Sequence, residues 1–223
     1  MDYRTELKLR VSMADYALLR TRLRYLMSLD PHSDENGIYL IRSLYFDNLQ
    51  DKALREKLDG VDIREKFRIR VYNGDESFIR LEKKSKRGGL GNKRSAVLTP
   101  EEAQSILASD WQAIGRMRDP LVLELAAKMK SEGLRPRTLV QYRREAYVYP
   151  AGNVRVTFDT DLRTGLFSTD LFAEDLPMIT PLESVALLEI KYDAFLPGDV
   201  YKRQLIGCIL IWVSLLSLCP LQQ

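Results

Sequence analysis

The two-residue alternation of charged with apolar side chains between Arg64 and Arg94 constrains the fold of this 223-residue chain more than any other feature. Phe67, Ile69 and Val71 alternate with Arg68 and Arg70. Beyond Asn73-Gly74-Asp75, the residues Phe78, Arg80, Glu82 and Lys84 alternate with Ser77, Ile79, Leu81 and Lys83. Successive side chains of a strand point to opposite faces, and a short Asn-Gly link reverses the chain. The segment therefore predicts a hairpin with one apolar face and one row of cations. Its 11 Lys and Arg against 4 Asp and Glu leave it at +7 in a chain of net +3, so the remainder carries −4. Taken alone, such a charged face is the wet side of a half-buried sheet.

The same phase recurs elsewhere. Tyr3 to Val11 sets Arg4, Glu6, Lys8 and Arg10 against Leu7, Leu9 and Val11, and Ile38 to Asp47 reads as an apolar, aromatic strand. Asn92 to Leu98 carries Lys93, and Thr138 to Tyr149 places Tyr142 and Arg144 on one face. Val154, Val156 and Phe158 alternate with Arg155, Thr157 and Asp159, and Leu188, Ile190 and Tyr192 alternate with Glu189 and Lys191. Between these strands, Ser12 caps a helix over Met13 to Leu29, and Asp51 to Asp59 is a short helix ended by Gly60. Thr99-Pro100-Glu101-Glu102 is a capping box for a helix to Ser109, and Asp119-Pro120 opens another that stops before Gly133. Lys86 to Gly91 is expected as a basic loop and Arg163 to Pro181 as a long surface loop.

Composition removes several classes of chemistry. The single histidine, His32, lies in a polar turn, so a His general base is not expected. No cysteine precedes Cys208, which excludes a disulfide scaffold, a thiolate zinc site and a Cys nucleophile from most of the chain. The concentrated charge does not describe a nucleic-acid coat, so no nucleic-acid partner is expected. The opening Met1-Asp2-Tyr3-Arg4-Thr5-Glu6 has no apolar core, and with the scarce thiols this suits a cytoplasmic protein.

Charged faces in phase on so many strands imply an α+β fold, a closed antiparallel eight-stranded tunnel barrel with helices packed outside. Its polar, basic lumen would hold Arg4, Glu6, Lys8, Arg68, Arg70, Arg80, Glu82, Lys84, Lys93, Arg144, Arg155, Glu189 and Lys191. Unpaired charges cannot form a dry core, so such a lumen must hold a polyanion, metal and water. Guanidinium and ammonium groups suit phosphate oxygens, and a few carboxylates in such a lumen, Glu82 and Glu6 among the candidates, suit a divalent cation. Arg64, Lys66, Lys83, Lys86 and Arg87 are read as out of phase or in loops, and expected to affect salt dependence more than turnover.

The chain resembles the VTC domain, the polyphosphate polymerase branch of the CYTH or triphosphate tunnel metalloenzyme superfamily. The resemblance runs from Tyr3 to about Pro197. Its carriers are Glu6-Leu7-Lys8, Ser43 to Asp47, Phe67 to Tyr72, Arg80 to Lys84, Tyr142 to Tyr147, Val154 to Asp159 and Leu188 to Tyr192. The resemblance implies a metal-dependent phosphotransferase that moves the γ-phosphate of ATP onto a growing polyphosphate chain. It implies that Lys8, Arg68, Arg70, Lys84, Lys93, Tyr142, Arg144 and Arg155 contact phosphates and that Glu189 holds Mn2+ or Mg2+. Within this reading the catalytic set is Arg68 and Arg70, which with Lys8 clamp the nucleotide phosphates, and Arg144 and Arg155, which stabilise the transferred group, while Lys191 joins the phosphate-binding set. Alternatives are a triphosphatase or cyclase of the same superfamily, and a non-catalytic module binding polyphosphate or inositol phosphates.

Three departures bear on this, one being that the strand lysine of the family stands here in Lys93-Arg94-Ser95 after a Gly-rich stretch, which leaves open whether Lys93 or Arg94 points inward. Arg4 stands where the superfamily's first strand carries the first Glu of Glu-x-Glu-x-Lys, which leans away from a two-metal hydrolase. The family's last strand runs into a helix that plugs the tunnel, whereas here the tunnel domain (1–197) gives way to an atypical tail, 198–223, uncharged from Leu205 onward. That run is long enough for a membrane span flanked by Lys202 and Arg203, which implies membrane attachment or a membrane-protein partner. The favoured reading is a non-native read-through, because the break falls inside a family element.

Overall fold

Residues 5–88, 90–165 and 168–193 are described by the structure, a computed structural model. Nine strands form one sheet in the order β1-β9-β8-β7-β3-β4-β5-β6, with β2 paired to β7. They are β1 (Thr5–Ser12), β2 (Ser28–Leu29), β3 (Ile38–Asp47), β4 (Arg64–Tyr72), β5 (Asp75–Arg87), β6 (Leu90–Leu98), β7 (Arg135–Tyr149), β8 (Val154–Thr164) and β9 (Val185–Tyr192). The closed eight-stranded barrel expected from the sequence is not what forms. Hydrogen bonding leaves β1 and β6 at the two ends of the sheet, and a ninth, two-residue strand is added. Alternation tells which face of a strand is apolar, but it is the same for an open sheet and a closed one.

The chain divides into two compact units. The first comprises Met1–Tyr39, Arg144–Thr160 and Leu182–Gln223, and the second Leu40–Arg143 and Asp161–Pro181.

In the first unit, β1 pairs antiparallel with β9 and β9 with β8. The apolar faces of these strands, Val11, Val154, Val156, Phe158, Ala186, Leu188 and Ile190, form a core with Tyr147. Helix α1 (Met13–Leu26) covers it with Leu23, and Tyr16 meets Phe158 edge-on at 5.0 Å. Ser12 caps α1 by accepting from the Asp15 amide, as its position predicts. The helix stops at Leu26, short of Leu29, because Met27 turns extended and Ser28 and Leu29 pair with Val148 and Tyr147 instead. Across α1 the buried Glu145 carboxylate accepts from Tyr16, Arg20, Arg24 and Tyr147, a four-donor latch between helix and sheet.

In the second unit, β4 to β6 form the expected meander. Asn73 and Gly74 both adopt left-handed backbone, as a two-residue hairpin turn requires. Ile69, Val71, Ile79, Leu81, Ala96 and Leu98 face helices α3 (Pro100–Leu107), α4 (Trp111–Ile114) and α5 (Pro120–Ser131) in a single core. The capping box at Thr99 and the Asp119 cap form as the sequence predicts, whereas α4, capped by Asp110, is too short to leave a periodic signal. Helix α2 (Lys52–Leu58) has no cap from its own Asp51. Asp47, at the end of β3, accepts from the Ala53 and Leu54 amides in its place.

Two expected loops behave differently. β5 continues to Arg87 and β6 begins at Leu90, so Lys86 and Gly91 are paired strand residues. The segment after β8 is tied down rather than loose: Leu171 is fully buried, and Arg42 donates to the Leu171 and Ala173 carbonyls. Among the described residues no helix is long and apolar enough to cross a membrane. The expectations for Arg4 and for 198–223 fall outside the described residues.

Candidate phosphate-binding clusters

The hairpin register of the second unit lines cations up across strands. Lys66 pairs with Lys84, and Lys84 with Lys93; one step along, Tyr45 pairs with Arg68, Arg68 with Glu82 and Glu82 with Ser95. Ser43, Arg70 and Arg80 make the next row. Directly paired residues share a face, so the register gathers the predicted residues Arg68, Arg70, Lys84, Lys93 and Glu82 on one surface.

Glu82, 1% exposed, organises them. Arg68 donates from Nε at 2.7 Å and pairs through Nη2 at 2.5 Å, Lys93 pairs with Oε1, and Arg70 stands 3.9 Å away. Burial pushes the Glu82 carboxyl up, but Arg68, Arg70 and Lys93 outweigh it and hold it at about 2. Arg70 is itself buried, donating to Ser43 Oγ and Tyr142 Oη at 3.0 Å each. Arg68 also donates to Tyr45 Oη at 2.8 Å. The Tyr45 phenol, pushed up by burial but drawn down further by Arg68, Lys66 and Arg70, settles at about 8.

Ser43, Tyr45 and Lys66 are thus members of this cluster that the sequence reading did not select. The signal was available for Lys66, which has the parity of Arg68 and Arg70, and its assignment to the out-of-phase set is corrected here. Arg64 and Lys86 pair directly as strand residues, not loop residues. Lys83 is out of phase as expected, on the helix side, where it pairs with Glu65 and Glu124. Lys93 and Arg94 separate the same way, Lys93 to Glu82 and Arg94 to Glu124. Arg80 lies over the Phe78 ring at 4.5 Å.

The first unit holds the other predicted residues. Glu6 pairs with Lys191 and Lys8 with Glu189 across β1 and β9, while Arg155 pairs with Lys191 and Thr157 with Glu189 across β8 and β9. Lys8 Nζ stands 2.6 Å from Glu6 and 4.0 Å from Glu189. Lys191 contacts Glu189, and Arg144 Nη2 is 3.6 Å from it. Burial raises the Glu189 carboxyl, and Lys191, Lys8 and Arg144 together bring it down to about 2. Arg144 is gripped by Asp159 through two bonds of 2.6 Å. Arg155 pairs with the buried Asp30 at 2.5 Å and donates to Tyr39 Oη at 2.9 Å. Asp159 has the phase of Arg155 and was legible; Asp30 and Tyr39 reach Arg155 only through tertiary contact.

The two clusters differ in charge. In the first unit Lys8, Arg144, Arg155 and Lys191 are matched by Glu6, Glu189, Asp159 and Asp30, so it stands near neutrality. In the second, Lys66, Arg68, Arg70, Lys84 and Lys93 share the gathered surface with Glu82, which Arg68, Arg70 and Lys93 approach. Among the described residues no group of three or more His, Cys, Asp or Glu side chains is assembled for a metal. A divalent cation that keeps water and takes substrate phosphates needs only one or two carboxylates, which Glu189 and Glu6 supply on either side of Lys8. Glu82 stands among Arg68, Arg70 and Lys93, as Glu189 stands among Lys8, Arg144 and Lys191. A cavity of about 420 Å3 opens elsewhere in the second unit, among α2, β4, β5 and α5. Its walls include Lys52, Lys128, Glu65 and Glu132, which already pair with one another.

The VTC domain family matches residues 3–214 of the chain. None of the curated proteins matches it. Among solved structures, a provisionally named adenylate cyclase from Bacillus halodurans superposes with a TM-score of 0.55 at 14% identity, over 100% of this chain and 94% of that one. At that identity the likeness shows the fold alone. The PH1819 protein of Pyrococcus horikoshii OT3 aligns with a TM-score of 0.46 at 14% identity, over 96% and 90% of the two chains. A provisionally named adenylate cyclase from Vibrio parahaemolyticus gives 0.44 at 10% identity, over 94% and 87%.

Proposed function

The chain belongs to the VTC-domain family, within the triphosphate tunnel superfamily of phosphoryl-transfer proteins, and on that premise we propose that it moves the γ-phosphate of ATP onto the end of a polyphosphate chain. The observation that carries the reading is the cation array of β4 to β6, in which Arg68, Arg70, Lys84 and Lys93 share one face with Glu82. Phosphoryl transfer asks little covalent chemistry of a protein. It needs the phosphates aligned and the charge on the transferred group offset.

In this reading Arg68 and Arg70, held at fixed angles by Glu82, Tyr45, Ser43 and Tyr142, clamp the triphosphate. Lys84, Lys93 and Lys66 neutralise the adjoining phosphates. In the first unit, Arg144 and Arg155, steadied by Asp159 and Asp30, are the groups suited to a phosphoryl group in transfer, with Lys8 and Lys191 in the same cluster. Glu189 and Glu6 would hold Mn2+ or Mg2+, which offsets phosphate charge when bound. A terminal phosphate oxygen of the acceptor attacks the γ-phosphorus, the bond to the β–γ bridging oxygen breaks and ADP leaves, so no protein nucleophile is needed, in keeping with a single histidine whose ring meets Asp30. ATP and polyphosphate are the partners this implies.

Purified protein incubated with ATP and Mn2+, with products resolved by chain length, tests the reading. Long acid-labile polyphosphate is the expected product. Free phosphate or a cyclic nucleotide alone would move the assignment to a triphosphatase or cyclase. Salt-sensitive polyphosphate binding without ATP turnover would make the protein a binding module. In the same assay Glu189→Ala should lower metal-dependent turnover by about 100-fold, as removal of one transition-state electrostatic partner does elsewhere. Full activity in that variant would sink the mechanism.

A further inference from the structure

Among the described residues of the first-unit cluster, Thr157 carries a hydroxyl that no ion pair or hydrogen bond uses. It lies on β8 between Arg155 and Asp159, directly opposite Glu189 on β9. Arg144 reaches across the same place, gripping Asp159 and standing 3.6 Å from Glu189. The side chain is 3% exposed, and its Oγ1 has no hydrogen-bond partner among the described residues. A buried hydroxyl without a partner is costly, and native proteins leave few of them. Valine would fill the same space without that cost, so the hydroxyl is not accounted for by packing.

A hydroxyl both donates and accepts, but its surroundings select the partner. Its carboxylate neighbours face cations, Glu189 those of Lys191 and Arg144 and Asp159 that of Arg144, although Glu189 Oε1, opposite Thr157, is likewise buried without a hydrogen bond. A group entering beside Arg144, Arg155 and Lys191 and accepting from Thr157 must therefore bring its own anionic oxygen. We propose that the Thr157 hydroxyl is a binding residue that donates a hydrogen bond to a non-bridging oxygen of a phosphate chain bound by Arg144, Arg155 and Lys191. This rests on the phosphate-binding reading given above and adds to it a neutral donor among the charged groups. Such a donor adds directional recognition of a phosphoryl oxygen without adding net charge.

Inorganic tripolyphosphate in EDTA, titrated calorimetrically into wild type, Thr157→Val and Thr157→Ser, tests this without requiring catalysis, and thermal melting of the ligand-free proteins supplies a second measurement. Thr157→Val should melt at or above the wild-type temperature, because it removes an unpartnered polar group, and should bind tripolyphosphate roughly 10- to 100-fold more weakly. Thr157→Ser, which keeps the hydroxyl, should bind within about threefold of wild type. A Thr157→Val protein that melts lower in the ligand-free state would overturn the proposal, since the hydroxyl would then have a structural partner. Unchanged affinity in EDTA would also overturn it, even if binding weakened once Mn2+ was added, because the hydroxyl would then serve the metal. If wild type fails to bind tripolyphosphate, the phosphate-binding reading falls with it. Binding that survives in Thr157→Val removes this inference alone.

Discussion

Burial alone would raise the Glu82 carboxyl; Arg68, Arg70 and Lys93 reverse the shift and hold it at about 2. Because the folded value lies below the ordinary 4.5, the stability it contributes is complete above about pH 4.5 and is lost as the pH falls towards 2. The size is on the order of 3 kcal/mol. Urea midpoints measured from pH 7 to pH 2 should therefore fall through that window in wild type. Glu82→Gln should show a flatter acid limb and a lower midpoint at pH 7, where it leaves Arg68 without its anion. A second contrast lies between Lys66 and Lys83. Lys66 shares the face of Arg68 and lies over the Tyr45 ring, whereas Lys83 is tied to Glu65 and Glu124 on the helix side. Lys66→Ala should weaken polyphosphate binding roughly 10-fold, in line with the loss of one charge-assisted contact. Lys83→Ala should leave binding nearly unchanged and lower the melting temperature instead. Phase was enough to separate the two residues. Glu65 reaches Lys83 across the β4–β5 hairpin, whereas Glu124 was not legible as its partner, because it meets Lys83 only when α5 packs on β5.

At the scale of elements, helix α1 is fastened to its unit by a polar latch as well as an apolar stripe. Leu23 is its only fully buried residue, and Tyr16, Arg20 and Arg24 all converge on Glu145. Removing one member of a buried charge network leaves the others unmatched, so Glu145→Ala should cost about 3 kcal/mol. The expected signature is local: faster hydrogen exchange over Met13 to Leu26, with β4 to β6 protected as before. The existence of α1 was plain from the Ser12 cap and the spacing of Tyr16, Leu19 and Leu23. Its end was not, because Met27 leaves the helix to let Ser28 and Leu29 pair with β7, a long-range pairing that outweighs local helical preference. Helix α2 teaches the same lesson from the other side. The Asp51 backbone enters left-handed and offers no cap, while Asp47 from the end of β3 receives the free amides.

For the whole molecule, the described ion pairs balance the cations of the first-unit cluster, while the second-unit face carries the cation array of β4 to β6. A polyanion should therefore stabilise the protein most at low ionic strength. Tripolyphosphate at about 100 times its dissociation constant should add roughly 2.7 kcal/mol of stability. That rise in melting temperature should shrink steeply between about 50 and 500 mM KCl, as screening shortens the reach of the array. A rise indifferent to salt would place binding away from these cations. Amino-acid order by itself determined the strands, the hairpin at Asn73-Gly74, the capped helices and the shared phase of Arg68, Arg70, Glu82, Lys84 and Lys93, because side-chain alternation and capping are local properties of a chain. Tertiary structure alone decided that hydrogen bonding leaves the sheet unclosed, and that Asp30 meets Arg155, Asp159 grips Arg144 and Thr157 is buried with its hydroxyl unspent. Edge pairing and ion-pair choice depend on register between segments far apart in the chain, and period-two alternation carries no information about either.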